Sequence, residues 1–300
     1  MPNDVGAVLV IGGGIGGIQS ALDLANSGFK VYLLEKKPSI GGVMAQLDKT
    51  FPTNDCSMCI MSPKMVDVGR HPNIELLTYS ELESIEGEAG NFTVTVKQKA
   101  RYVNKNCTGC GSCAEVCRLK GRIDDEYDAM LGKRGAIYVP FPQAVPLQYT
   151  IDPDRCIYLT TGKCGDSPPC KKVCGADAID HEQNDEYTDL AVGSIILSTG
   201  FQVFDPHRIP EYGFGTFKNV ITSLQLERLQ CASGPPNGHI LRPSDGKAPR
   251  RIAFIQCVGS RDHRTNTYCS SVCCAYAIKE AIVAREHSPQ LESTIFAMDA

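Results

Sequence analysis

The chain has 300 residues, of which 42% are hydrophobic and 21% are charged, values close to those of globular proteins and unlike those of disordered chains. Its 30 basic and 34 acidic residues give a net charge of −4, and this lack of excess positive charge disfavours nucleic-acid binding. The most unusual feature is the content of 15 cysteines, which in proteins either form disulfides or bind metal.

The N-terminal segment has none of the signals of secretion. No basic segment precedes the first apolar run, residues 7–11, and this run stops at a glycine. No stretch approaches the roughly 18 uninterrupted apolar residues that a membrane helix needs. We therefore expect a cytoplasmic protein whose cysteines bind metal rather than form disulfides. The odd number of cysteines leaves at least one of them outside any complete pairing.

A glycine-rich turn follows the first apolar run. Residues 7–11 (AVLVI) are typical of a strand buried on both faces, and the turn after it matches the pattern G-x-G-x-x-G. The three glycines of the pattern are Gly12, Gly14 and Gly17. Apolar residues then recur at helical spacing as far as Gly28, which is a typical helix end. This order of strand, glycines and helix predicts a dinucleotide-binding site, in preference to a purely structural turn.

A second strand supports the same interpretation. Residues 30–34 are predicted to form it, and Glu35 follows at the distance expected of an acid that binds a ribose hydroxyl. The doublet Gly41-Gly42 comes shortly afterwards. This doublet resembles one found in two-dinucleotide-binding flavoproteins, and the resemblance favours FAD over NAD.

A C-x2-C motif lies further along the chain, at Cys56 and Cys59. It has three interpretations: a redox dithiol that exchanges electrons as a disulfide, ligands of a cluster shared with a partner chain, or two packed thiols. The sequence leaves all three open.

The next segment carries eight cysteines in two groups. The first group has the spacing C-x2-C-x2-C-x3-C of a bacterial ferredoxin 4Fe–4S cluster, and the second has the looser spacing C-x7-C-x5-C-x3-C. The first group is Cys107, Cys110, Cys113 and Cys117, and the second is Cys156, Cys164, Cys170 and Cys174. Zinc ribbons are the less favoured alternative, because zinc sites use two separated C-x2-C pairs. The spacing therefore predicts two 4Fe–4S clusters.

In two-cluster ferredoxins the last cysteine of each run binds the other cluster. On that pattern Cys174 completes the first group and Cys117 completes the second. Residues 91–97, before these groups, alternate apolar and polar side chains and predict a half-exposed strand. We therefore expect a ferredoxin-like domain, residues 101–185, inserted into a flavin domain that begins in residues 1–100. The proline-rich stretch 135–150 is not expected to form regular helix.

The flavin domain is predicted to continue over residues 186–231. Within it, residues 192–201 resemble the strand and Thr199-Gly200 turn with which flavin domains close, although a simple strand end explains them equally well. Residues 232–249 are rich in Gly, Pro, Ser and Asn and are interpreted as a linker.

Residues 250–300 begin as a second dinucleotide-binding fold would begin. We predict a strand at 251–256, a helix at 271–286 and a strand at 294–298. The predicted apolar face of the helix consists of Val272, Tyr276, Ile278 and Ile282. The loop after the first strand lacks the glycines that bind phosphate, so we do not expect a nicotinamide nucleotide to bind there in the usual way.

Four more cysteines lie in that loop and at the start of the helix. They are Cys257, Cys269, Cys273 and Cys274. Amides at a helix N-terminus favour thiolates, but the spacing alone leaves open whether these cysteines bind a third 4Fe–4S cluster or are buried structural thiols. Cys231 has no thiol near it in sequence and is interpreted as structural.

Together these motifs resemble those of the A-type subunits of heterodisulfide reductases, flavin and iron–sulfur proteins of methanogens and many anaerobic bacteria. Matching stretches include TFPTNDCSMC (50–59), AIYVPFPQAVPLQYTIDP (136–153) and AFIQCVGSRD (253–262). The resemblance spans nearly the whole chain. It implies a Rossmann-like α/β two-dinucleotide-binding flavoprotein fold with an inserted two-cluster ferredoxin domain and an incomplete second nucleotide-binding-like fold. It also implies FAD at the glycine turn and Glu35, and a non-standard cluster at the last four cysteines.

Two features differ from the family pattern. Family members often begin with an extra N-terminal domain, and they continue past the second fold, whereas this sequence ends at Ala300. We expect either a fragment or a protein that another chain completes.

The leading hypothesis is an electron-transfer component of a heterodisulfide-reductase-type complex, which passes electrons between FAD and 4Fe–4S clusters. The resemblance implies B- and C-type subunits as partners, a hydrogenase, formate dehydrogenase or ferredoxin as electron donor or acceptor, and flavin-based electron bifurcation. One alternative is a self-contained FAD-dependent disulfide oxidoreductase that uses Cys56 and Cys59. The other is a docking module that clusters stabilise and that has no flavin.

Overall fold

The computed structural model describes residues 6–165 and 167–298. The chain forms two compact units, each assembled from separate stretches of sequence. The first unit contains residues 1–45, 60–127 and 133–200, and the second contains residues 46–59, 128–132 and 201–300. No helix in the described part of the chain is long and apolar enough to span a membrane. The domain boundaries expected from the sequence stay a prediction.

The first unit begins with the predicted strand, helix and strand. Strand β1 (Ala7–Ile11) pairs in parallel with β2 (Lys30–Glu35), and helix α1 (Ile15–Asn26) connects them. The helix forms because Ile18, Leu22 and their small neighbours recur every three or four residues and are buried. All three elements are confirmed within one residue of the predicted bounds.

Helix α2 (Ser57–Arg70) leads into β3 (Ile74–Thr78), which pairs in parallel with β2. Two longer strands, β4 (Ser80–Glu88) and β5 (Asn91–Gln98), then form an antiparallel hairpin. In β5 the buried Val94 and Val96 alternate with more exposed residues, as predicted for a strand with one face in the core.

The region after β5 contains only short elements. They are α3 (Ser112–Glu115), β6 (Ile123–Asp124), β7 (Lys133–Arg134), β8 (Ile137–Tyr138), β9 (Thr150–Ile151), α4 (Ile157–Thr161) and α5 (Pro169–Val173). Strand β6 pairs with β7, and β8 pairs with β9. The absence of helix from residues 135–150 agrees with the prediction. A small core of Val103, Cys113, Ile137, Ile151 and Ile179 holds these elements together, and most of the neighbouring cysteines pack on it.

The chain then returns to the sheets that it left. Strand β10 (Glu186–Val192) pairs antiparallel with β5, so the short elements are inserted between two adjacent strands of one sheet. Strand β11 (Ser194–Leu197) pairs in parallel with β1. The result is a parallel sheet of order β11-β1-β2-β3 and an antiparallel sheet of order β10-β5-β4, with a shared core between them that includes Leu9, Val94 and Val192.

The second unit contains α6 (Ser223–Gln230), β12 (Arg251–Ile255), α7 (Cys273–His287) and β13 (Glu292–Phe296). Strands β12 and β13 are parallel, and α7 lies between them in sequence. The predicted helix and strands exist, with bounds shifted by one or two residues. The stretch 232–249, predicted as a linker, has no helix or strand.

The predicted apolar face of α7 is wrong for three of its four residues, since only Tyr276 is partly buried and packs on the core of this unit. Val272, Ile278 and Ile282 are exposed, whereas Ala277, Val283 and Ala284 are buried together with Lys279 and Glu280. The charge of buried Lys279 is compensated by an ion pair with Glu227 of α6, whereas burial raises the pKa of Glu280 and so favours its neutral form. The helix therefore turns a mixed polar and small-residue face toward the core, which a search for large apolar residues does not detect.

Candidate functional site

The glycine turn between β1 and α1 is closely packed against the end of β11. Gly12 has φ +108°, a conformation that favours glycine, and a Cβ atom added to it would overlap the carbonyl oxygen of Ser198. A Cβ on Gly17 would overlap the carbonyl oxygen of Gly12. Ser198 was not predicted as a site residue, and its position directly before the predicted Thr199-Gly200 turn is the only sequence signal for it. Thr199 lies beside this turn, since its Cα would be 3.3 Å from a Cβ on Gly12, and both Thr199 and Gly200 are exposed.

Helix α1 begins at this turn without a side-chain cap. Gly14 occupies the N-cap position, where no side chain accepts a hydrogen bond from the first N–H groups of the helix. Uncapped N–H groups at the positive end of a helix are typical donors to phosphate. The turn therefore fits a dinucleotide, since it combines a close backbone approach with free amide donors.

Glu35 lies at the carboxyl end of β2, buried and beside the turn. One carboxylate oxygen accepts a hydrogen bond from the Gly13 N–H at 2.8 Å, and the other accepts one from the Lys37 N–H at 2.8 Å. Gly41 donates its N–H to the carbonyl of Gly13 at 2.7 Å. Gly42 in turn packs against Gly14, where a Cβ would lie 2.8 Å from the Gly14 Cα. Glu35 and the doublet Gly41-Gly42, which were both predicted to belong to the site, thus contact the glycine turn.

Three cysteines of the first group lie near the ring of Tyr149. Burial raises the pKa of Tyr149, and the neighbouring Cys113, Cys107 and Cys110 raise it further. Burial, followed by the proximity of Cys107, also raises the pKa of Cys113 to about 12. The fourth predicted ligand, Cys174, accepts a hydrogen bond from the Ala178 N–H at 3.3 Å and packs on the same small core.

The second group surrounds a cavity. Its walls include Cys156, Cys164 and Cys170 together with Cys117, the last cysteine of the first run. Burial, then Cys156 and Cys117 among its neighbours, raises the pKa of Cys170 to about 11. The structure thus brings Cys117 to the second group, as the predicted exchange of ligands requires.

Two side chains beside this cavity were not predicted. His181 lies with its Nε2 atom 3.8 Å from the Cys170 sulfur, and burial, then Lys171, lowers its pKa. Burial raises the pKa of Cys164, and the positive charge of nearby Arg118 offsets part of that increase. The only sequence signal for Arg118 is that it occupies the position after the cysteine run where ferredoxins commonly have proline.

The third group is formed by cysteines of the loop after β12 and the start of α7. Desolvation raises the pKa of Cys274, and Cys273, Cys257 and Cys269 raise it further because all three are close by. Burial also raises the pKa of Cys273, but hydrogen bonds from Ser270 and from the backbone of Cys257 outweigh burial and lower it. The four predicted residues therefore lie together in the second unit.

The loop that carries this third group has a strained backbone. Cys257, Arg261 and Ser271 have φ values of 61°, 56° and 61°, in the left-handed region that residues other than glycine rarely adopt. Such residues each cost on the order of 1 kcal/mol and concentrate at ligand sites, where the surrounding structure fixes them.

Within residues 6–165 and 167–298, no group of three or more His, Cys, Asp or Glu side chains is arranged to hold a metal ion. A 4Fe–4S cluster needs a different arrangement of ligands, because each of its four thiolates binds a separate iron. Each of the three groups supplies the four cysteines that one such cluster needs.

Cys56 and Cys59 form a disulfide, with a Cα–Cα distance of 5.2 Å. The general expectation that cysteines of this chain avoid disulfides is therefore wrong for this pair. The Cys59 N–H donates a hydrogen bond to the Cys56 sulfur at 3.2 Å, at the start of α2. Cys231 is a free thiol whose sulfur lies 3.2 Å from the Ser233 hydroxyl.

Comparison with known proteins supports a flavin site at the glycine turn. The family described as FAD dependent oxidoreductase matches residues 7–61, which include the glycine turn and Glu35. Solved structures give a weaker likeness: L-proline dehydrogenase from P. horikoshii is 14% identical, with a TM-score of 0.38, over 97% of this chain and 35% of the other. That score is too low to carry an argument. The sequence match and the turn define a flavoprotein of Rossmann-type α/β fold.

Curated relatives identify the family. An A-type iron-sulfur subunit of the CoB–CoM heterodisulfide reductase of Methanopyrus kandleri is 58% identical over 97% of this chain and 43% of its own length. The A-type subunit of the H(2)/formate:CoB-CoM heterodisulfide,ferredoxin reductase of Methanococcus maripaludis is 53% identical over the same shares. Along the segment that it covers, the chain therefore belongs to the family of A-type heterodisulfide reductase subunits, as its motifs predict. It spans less than half the length of these relatives.

Proposed function

We propose that this chain is the flavin and iron–sulfur electron-transfer part of a heterodisulfide-reductase-type oxidoreductase complex. The observation that carries the proposal is the cavity walled by Cys117, Cys156, Cys164 and Cys170. Four thiols from two separate cysteine runs converge there. Such convergence of cysteines from two runs is the ligand pattern of a ferredoxin pair of clusters.

The residues of each part have distinct tasks in this proposal. The α1 amides and the glycine turn would bind the FAD pyrophosphate, and Glu35 would exchange its bond with the Gly13 N–H for a ribose hydroxyl. The three cysteine groups would each hold one 4Fe–4S cluster. When bound, the flavin supplies two-electron chemistry and the clusters supply one-electron transfer. The protein fixes their positions and limits their access to water.

The names of the relatives support some of the partners that we propose. The relative from Methanococcus maripaludis is named for H2, formate, the CoB–CoM heterodisulfide and ferredoxin. In line with these names we propose a hydrogenase, formate dehydrogenase or ferredoxin as electron donor or acceptor, and from the family resemblance we propose B- and C-type reductase subunits as partners. Electron bifurcation and action on the heterodisulfide belong to the proposal for the assembled complex.

The test is to purify the chain anaerobically and to measure iron, sulfide and flavin. We expect about twelve iron atoms per chain, as three four-iron clusters require, and one FAD. Cys170→Ser should remove about four of these iron atoms, whereas the matched change Cys231→Ser should remove none. A folded protein without iron, or equal iron loss in both variants, would contradict the proposal.

The disulfide supports a second candidate, a flavin-dependent disulfide oxidoreductase. In that reaction the Cys56–Cys59 disulfide would take two electrons from the bound, reduced flavin and two protons from solvent to become a dithiol. The dithiol would then reduce a substrate disulfide to two thiols and return to the disulfide. Replacement of Cys56 by serine separates the two candidates. Complete loss of turnover with iron content intact would favour this second function, whereas retained electron transfer to an artificial acceptor would favour the first.

A further inference from the structure

His181 is a half-buried residue in the wall of the cavity that the second cysteine group surrounds. Its Nε2 atom lies 3.8 Å from the Cys170 sulfur, a distance at which a nitrogen and the larger sulfur atom form a hydrogen bond. Cys117, Cys156 and Cys164 lie in the walls of the same cavity. The imidazole therefore contacts one of the proposed ligands of the second cluster, and the proposed function gives it no task.

The position of this imidazole is fixed from two sides. The main chain is held directly before it, because the Asp180 N–H donates a hydrogen bond to the Tyr102 carbonyl at 3.0 Å. The ring packs against the ring of Tyr158, with the two centroids 4.6 Å apart and the planes inclined by 58°. The contact of Nε2 with Cys170 therefore belongs to a packed arrangement and not to a freely rotating surface side chain.

The chemistry of a cluster ligand decides which of the two atoms donates the hydrogen bond. A cysteine that binds iron is a thiolate, which has no hydrogen and can only accept. An imidazole nitrogen that carries a hydrogen is a donor, and one that carries none is an acceptor. With a cluster bound at Cys170, His181 must therefore carry its hydrogen on Nε2 and donate it to the sulfur.

The sulfurs of the first cysteine group have neighbours of a different kind. The Ala178 main-chain N–H donates to the Cys174 sulfur at 3.3 Å, and the Ser112 hydroxyl lies 3.6 Å from the Cys110 sulfur. A main-chain amide is present whatever residue occupies its position, whereas the imidazole donor depends on the residue at position 181. A single substitution at His181 can therefore remove the donor and leave every cysteine in place.

We propose that His181 donates a hydrogen bond to the cluster-binding sulfur of Cys170 and thereby raises the reduction potential of the second cluster. The inference rests on the proposed function, because it requires a cluster at Cys117, Cys156, Cys164 and Cys170. Hydrogen bonds to the sulfurs are among the factors that set the potential of an iron–sulfur cluster. Reduction adds negative charge to the cluster and its thiolates, so a donor stabilises the reduced form. His181 acts through Cys170 and is a positioning residue, not a ligand.

The experiment is a redox titration of the anaerobically purified chain, followed by electron paramagnetic resonance. The signal of the second cluster is identified as the one that Cys170→Ser removes. His181→Phe keeps a ring against Tyr158 but has no donor, and we expect it to shift the midpoint of that signal to a more negative potential and to leave the first cluster unchanged. His181→Gln places an amide N–H near the position of Nε2 and should restore most of the midpoint. The matched control is His239→Phe, which removes an exposed imidazole of the second unit and should shift neither signal.

A second measurement needs no substitution and decides the matter if His181→Phe does not fold or loses the cluster. Pulsed electron paramagnetic resonance of the unmodified chain, with isotopically labelled histidine nitrogen, should show a weak histidine coupling in the signal of the second cluster. No histidine coupling, or a coupling as strong as that of a nitrogen bound to iron, would overturn the inference alone. An unchanged midpoint in a folded His181→Phe variant, or an equal shift in His181→Gln, would do the same. Absence of all cluster signals from the unmodified chain would overturn the proposed function and this inference together.

Discussion

Gly12 is subject to two separate constraints, its backbone conformation and its contact with Ser198. Its φ of +108° disfavours other residues, and the carbonyl of Ser198 occupies the place of a side chain. Gly28 has a similar φ of +92°, but nothing lies within 4 Å of the position that a Cβ would take. Substitutions at Gly12 and Gly28 therefore separate the effect of a steric overlap from the effect of backbone conformation.

We predict that Gly12→Ala abolishes stable FAD binding and lowers the free energy of unfolding by more than about 2 kcal/mol, because strain and overlap add. Gly28→Ala should cost about 1 kcal/mol, from conformation alone, and should retain the flavin. Flavin content after gel filtration and urea unfolding measure the two effects. Equal flavin content in the two variants would show that the turn does not bind the cofactor.

At the scale of elements, the pairing of α6 with α7 depends on buried charge. Glu227 of α6 forms an ion pair with Lys279 of α7, both side chains being 3% exposed, and also accepts a hydrogen bond from the Asp48 N–H at 3.0 Å. Gln230 of α6 donates to the main-chain carbonyl of Glu280 at 2.8 Å. These contacts explain why the two helices pack through polar residues.

Lys279→Met should strongly destabilise the second unit. The change leaves the Glu227 carboxylate buried without its cation, and removing one member of a buried pair costs about 3–5 kcal/mol. The matched change Lys49→Met breaks the exposed pair with Glu286 and should cost less than about 1 kcal/mol. Thermal and urea unfolding measure both variants, and similar losses would show that the buried pair contributes no more than the exposed one.

Glu280 should make stability depend on pH. Burial, then the charge of Glu227, raises its pKa from 4.5 to about 9, so the folded state holds a proton that the unfolded state releases. Stability is therefore greatest below the unfolded pKa and falls as pH rises from 4.5 toward 9. Glu280→Gln mimics the protonated form and should raise stability at pH 8 by roughly 1–3 kcal/mol and flatten the pH profile. Glu286→Gln, on the exposed side of α7, should leave the slope of stability against pH unchanged. The same slope in the Glu280 and Glu286 variants would show that Glu280 does not cause the pH dependence.

At the scale of the whole molecule, the insert differs from the sheets that carry it. Its helices are only four or five residues long, and its core consists of few aliphatic side chains with cysteines packed around them. Helices this short are not stable by themselves, and metal binding to such a segment contributes its folding energy. The parallel sheet, by contrast, has a large aliphatic core.

Removal of iron with an anaerobic chelator should therefore unfold the insert first. We expect fast amide exchange and protease cleavage in residues 101–185, with β1, α1 and β2 still protected. Mass spectrometry of the exchanged protein measures both regions at once. Uniform protection after iron removal would show that the insert folds independently of metal.

The sequence predicts the elements whose pattern is local. The β1-α1-β2 unit with its glycines and Glu35 is such a case, because periodicity and turn chemistry decide it. The buried face of α7 could not be predicted, since it depends on Glu227, which is distant in the sequence. The same reason explains why Ser198 and His181 were missed: their neighbours come from other elements. The Cys56–Cys59 pairing was one of several interpretations that the C-x2-C spacing allows.

The order of strands also governs when the protein can fold during synthesis. Strand β5 lies between β4 and β10, and β1 lies between β2 and β11, so the antiparallel sheet lacks a member until residue 192 has left the ribosome and the parallel sheet until residue 197 has done so. All eight cysteines of the insert emerge before that point. The clusters that we propose at these cysteines could therefore be delivered to an open, still unfinished nascent chain, and the glycine turn closes against Ser198 only afterwards.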